Sequence, residues 1–176
     1  AVIEGTLLSL VLLSALIATS GQKFLWLGIT LVALTLIGKW ANLAGASGVF
    51  HWIFFLPAIA FIMLVIVHLL HFVLSTNEVD LETLCASVTG FLMIGLLWTL
   101  MYALLGRLSP AAFAFADPGQ TMDGFNAFYF SFVTLSTIGF GDISPVTPVA
   151  RMLAVMEAIT GMFYVTMLVA RLVSIH

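Results

Sequence analysis

The stretch Thr137-Ile138-Gly139-Phe140-Gly141-Asp142 places glycine at alternate positions. Glycine adopts left-handed backbone angles without steric cost, so this spacing permits successive carbonyl groups to face one side. The preceding segment, Asp123 to Leu135, is moderately apolar, aromatic and too short to cross a bilayer. It reads as a re-entrant helix capped by Asp123. Backbone that turns round at membrane depth must be shielded by protein or line a watery cavity, because lipid offers no hydrogen bonds. The sequence holds one such loop and no internal repeat, so the shield has to come from further copies of the chain.

Working outward, a helix is expected to start near Pro148, a favoured first-turn residue, and to run to the C-terminus past Arg151, Glu157 and Arg171. On the other side, 81–108 carries no charge between Glu82 and Arg107, and Pro110 stops it. A loop to Met122 is expected to follow. Farther upstream, apolar runs cover 2–19, about 24–46 and 49–74, separated by polar turns at 20–23 and 75–80. The expectation is an all-α membrane protein with five visible transmembrane helices plus the re-entrant helix. Composition agrees: 62% of residues are hydrophobic and 7% charged, against about one quarter charged in a soluble domain. A net charge of −3 with no Lys/Arg-rich tract argues against a nucleic-acid partner. Cys85 is the single cysteine, which excludes a disulfide within the chain or a cysteine metal site. The few His, Asp and Glu residues form no nucleophile, base or metal constellation, so an enzyme is not expected.

Four copies of the 137–141 strand around an axis would stack rings of carbonyl oxygens, with the Thr137 hydroxyls forming the innermost ring. Such rings replace the water shell of a partly dehydrated cation. Thr137 to Asp142 resembles the potassium-channel signature, usually written Thr-Val-Gly-Tyr-Gly-Asp, with conservative changes at Ile138 and Phe140. The resemblance extends from the helix at 81–108 to the end of the last helix. Tyr129-Phe130 stand where the family has a pair of pore-helix aromatics, and Gly161 stands at its inner-helix hinge glycine. The runs Tyr129-Phe130-Ser131-Phe132-Val133-Thr134 and Ala170-Arg171-Leu172-Val173 are similar to bacterial ion-channel proteins without a voltage sensor.

The resemblance implies a homotetramer in the lipid bilayer. Potassium ions would be held by the backbone carbonyls of Thr137, Ile138, Gly139 and Phe140 and by the Thr137 hydroxyl, with Gly141 completing the selectivity filter. It implies no organic cofactor, and no regulatory domain is visible in the chain. A multi-pass plasma-membrane protein, in bacteria the inner membrane, is expected. Residues 1–80 then form a three-helix peripheral region, and 81–176 form a pore domain. No Lys or Arg lies between Lys39 and Arg107, so the first region lacks voltage-sensor arginines. With the filter facing outward, residue 1 would fall outside, and one further upstream helix would restore a cytoplasmic start. Weakly selective passage of sodium and potassium, or a non-conducting scaffold or sensor, are the competing functions.

Two departures bear on the filter. In the family a filter tyrosine commonly bonds a pore-helix aromatic, yet Phe140 and Phe130 stand at those positions, and losing both halves of a buried hydrogen bond can be nearly neutral. A filter held mainly by packing is the expectation. Asp142 is expected near Tyr129, bracing the outer mouth. Glu157 reads either as a proton- or cation-sensing group behind the filter or as a structural carboxyl bonded to Thr134, Ser136 or a neighbouring helix. Gly161 permits either a bend or close helix packing. His68 and His71 share one helix face and read as interfacial or packed.

Overall fold

The computed structural model describes residues 22–43, 49–76 and 80–174. The chain divides into two compact units, 1–68 and 69–176. The first holds helix α1 (Gln22–Leu43) and most of α2 (Val49–Ser75). Within α2, Phe55, Ala58, Phe61, Ile62, Val65 and Ile66 are buried at the three- and four-residue spacing of one helix face. Pro57 sits inside this helix, as bilayer helices tolerate when neighbours satisfy the freed backbone group.

The second unit runs from the last turns of α2 through α3 (Leu81–Leu108), α4 (Gly124–Leu135) and α5 (Pro148–Ser174). The short helix α4 packs against both α3 and α5, which also meet each other. Close approach is carved by small residues: the Phe132 ring of α4 lies where a side chain on Gly95 of α3 would have to go. Over 148–171 of α5 the buried residues are Ala150, Glu157 and Gly161, one stripe facing inward, while the others there are exposed or half-buried.

The stretch after α3, expected as loop, contains a 3-10 turn (Pro110–Ala112) and strand β1 (Phe113–Phe115). That strand pairs antiparallel with β2 (Ile143–Pro145), placing Phe113 opposite Pro145 and Phe115 opposite Ile143. Among the described residues the chain is predominantly helical, as expected, with one small ribbon. Three-residue strands are too short for a period-two pattern, and this pairing joins segments far apart in sequence.

Phe54–Ser75, Leu81–Leu108 and Pro148–Arg171 are each long and apolar enough to cross a membrane. The expected span at 24–46 coincides with helix α1, which ends at Leu43 and within which Gly28–Gly38 is apolar but shorter than a membrane span. The expected first helix, 2–19, lies outside the described residues, as do 77–79 of the polar connector.

Candidate functional site

The site is built on the C-terminal end of α4. Asp123 caps the helix start, its carboxylate accepting from the Asn126 backbone N–H at 3.4 Å. At the other end the Ser136 hydroxyl donates to the Phe132 carbonyl at 2.5 Å. The Thr137 and Ile138 amides donate to Thr134 and Val133 carbonyls at 2.9 and 3.0 Å. The chain then leaves the helix with left-handed φ at Thr137 (58°), Gly139 (61°) and Gly141 (82°), but not at Ile138 or Phe140 between them. Such alternation permits successive carbonyls to face one side. At Gly139 and Gly141 an added Cβ would meet nothing within 4 Å, so backbone angle rather than space demands glycine.

Thr137 adopts the same left-handed angle with a β-branched side chain, a strained combination retained only where the surroundings enforce it. Sequence reasoning missed this, although counting back by two from the glycines reaches it. The carbonyls of Thr137, Ile138, Gly139 and Phe140 accept no hydrogen bond from any described residue. Every residue from Ser136 to Asp142 is exposed in the single chain.

The far end of the strand is tied down by the ribbon. The Ala116 amide donates to the Asp142 carbonyl at 2.8 Å, β2 begins one residue later, and the Ser144 hydroxyl donates to the Gly141 carbonyl at 3.3 Å. The Tyr129 and Phe140 rings lie parallel, with centroids 6.5 Å apart. Hydrogen bonding to the Asp142 carboxylate, with lesser desolvation and charge effects, holds the Tyr129 phenol above its ordinary pKa. Phe130 does not meet Phe140 in this chain. It is buried edge-on against Tyr102 and Phe113, at 4.9 and 5.5 Å, because it sits on the α4 face turned toward α3 and the ribbon.

Behind α4, Glu157 is fully buried. The Tyr102 hydroxyl donates to its Oε2 at 2.6 Å, and its Oε1 lies 2.5 Å from the Ser131 Oγ. Of the expected partners, neither Thr134 nor Ser136 hydrogen-bonds the carboxyl; a neighbouring helix does, through Tyr102 of α3, together with Ser131 of α4 one turn earlier. One turn along α5, a Cβ on Gly161 would collide with the Leu135 carbonyl oxygen, so close packing against the end of α4 requires glycine there. The helix is continuous through this point. His68 and His71 are exposed.

Residues 91–175 match the family model described as ion channel. Two-pore potassium channel 4 of Arabidopsis thaliana is 33% identical over 101 residues, covering 57% of this chain and 36% of that protein. An inward rectifier potassium channel of Paramagnetospirillum magnetotacticum is 37% identical over 76 residues, 43% of this chain and 23% of the other. A voltage-gated potassium channel of Aeropyrum pernix is 27% identical over 71 residues, 40% of this chain and 24% of the other. The chain thus spans well under two thirds of the length of these relatives.

Proposed function

We propose that the chain is a member of the potassium-channel superfamily through residues 91–175 and one subunit of a homotetrameric, potassium-selective channel. The observation that carries this reading is the row of four carbonyls, Thr137 to Phe140, on an exposed strand without a hydrogen-bond donor among the described residues. Orphaned backbone oxygens cannot face lipid. Around a fourfold axis they would face one another, with the Thr137 hydroxyls innermost, and exchange places with the water shell of a potassium ion. Permeation is passive, and potassium is the cargo rather than a resident cofactor.

Asp142 and Tyr129 brace the outer mouth, Phe130 and Glu157 hold the pore helix behind the filter, and Gly161 sets how closely the inner helix approaches it. Residues 81–176 serve as the pore domain, and 1–80 as a peripheral membrane region without voltage-sensor arginines. A plasma membrane, in bacteria the inner membrane, is the compartment.

The test is a reversal potential across liposomes containing the purified protein, with potassium on one side and sodium on the other. A large potential, negative on the potassium side, is expected. A value near zero would mean weak selectivity, and absence of current would favour a scaffold.

A further inference from the structure

The contacts of Glu157 require more protons than a carboxylate leaves available. Three close oxygen pairs meet at this site: Tyr102 Oη with Glu157 Oε2 at 2.6 Å, Glu157 Oε1 with Ser131 Oγ at 2.5 Å, and Ser131 Oγ with the Gly95 carbonyl at 2.8 Å. Each pair needs one proton between its oxygens. With Glu157 ionised, only the Tyr102 and Ser131 hydroxyls supply protons, because a carbonyl cannot donate. One pair would then hold lone pair against lone pair at hydrogen-bond distance. With Glu157 protonated, three protons serve three contacts. Tyr102 donates to Oε2, the acid donates from Oε1 to Ser131, and Ser131 donates to Gly95, whose carbonyl also accepts from the Thr99 hydroxyl at 2.8 Å.

The surroundings favour the same state. Glu157 is 0% exposed on a helix apolar and long enough to span a bilayer, where an isolated carboxylate without a cation is costly. Helix α3 carries no Lys or Arg between Glu82 and Arg107, and its titratable group at this site is Tyr102. Helix α4 carries no Lys or Arg, and its titratable Tyr129 is engaged with Asp142. On α5 itself Arg151 is exposed and donates to the Pro145 carbonyl.

We propose that Glu157 is a positioning residue held as an undissociated carboxylic acid, whose proton links the inner helix through Ser131 of the pore helix to the Gly95 carbonyl of α3. The link fixes the pore helix from behind, seven residues before the strand of orphaned carbonyls ends its helix-bonded part at Ile138. Its consequence for conduction rests on the channel reading, whereas the protonation state does not.

The test is the infrared spectrum of the purified full chain in lipid at neutral pH, with isotope-labelled glutamate. A protonated-acid carbonyl band is expected, absent from Glu157→Gln and moved to higher frequency in Ser131→Ala, where the acid loses its acceptor. Absence of the acid band from the parent protein, or a band that Ser131→Ala leaves in place, overturns the proposal. An acid band in a protein that carries no potassium current would uphold the proton assignment and defeat the channel reading separately.

Discussion

At Gly161 and Gly139 the same residue type answers two different demands. An added methyl at Gly161 runs into the Leu135 carbonyl oxygen, which belongs to backbone and cannot rotate away. At Gly139 the methyl has open space, and only the φ of 61° opposes it. Gly161→Ala is therefore expected to destabilise the protein by about 1–3 kcal/mol, the usual range for overpacking, measured as a lowered midpoint of denaturant unfolding in micelles. An unchanged midpoint would show that α5 can withdraw from α4 without loss. Sequence alone left Gly161 between bending and packing, because glycine spacing reports freedom without reporting the neighbour. The glycine alternation at 139 and 141 was legible since it encodes a local backbone angle. The strained Thr137 was not, since a β-branched residue ordinarily argues against that angle.

Among the elements, α5 is fastened near its end to the last turn of α2 by Arg171. Its guanidinium donates to the Leu74 carbonyl at 2.7 Å and to the Thr76 carbonyl. These oxygens lie at the negative end of a helix dipole, where a cation is favoured. Arg171→Gln is expected to weaken this attachment by about 1 kcal/mol, allowing for part exposure of the charge, and to speed hydrogen exchange over 72–76. Arg171→Lys should recover only part of the loss, because lysine lacks the planar fork. Unchanged exchange in Arg171→Gln would contradict the fastening.

Helix limits such as Leu81–Leu108, the Asp123 cap and the Pro148 start were readable because charge, capping and proline act locally. The ribbon and the partners of Glu157 were not. Which of Ser131, Thr134 or Ser136 meets a carboxyl on α5 depends on how two helices cross. Similarly, Phe130 packs on Tyr102 of α3 and Phe113 of β1, while Phe132 meets Gly95 of the same helix. Neither crossing leaves a local pattern.

At the scale of the whole molecule, the single chain is incomplete as a membrane object. Within its apolar stretch α5 is 11% buried, against 33% for α3. Phe125 and Phe128 on α4, and Ile138 and Phe140 on the strand, are exposed as well. Apolar side chains can face lipid, but the four carbonyls beside them cannot. On the proposed reading, it is the backbone rather than the apolar surface that calls for further copies around the strand. The most direct measurement is carbonyl carbon NMR of the reconstituted protein, labelled at Thr137, Ile138, Gly139 and Phe140, as potassium replaces sodium. These four signals are expected to shift with potassium while those of Ile143 and Ser144 in the ribbon stay fixed. Four signals indifferent to which cation is present would contradict this reading.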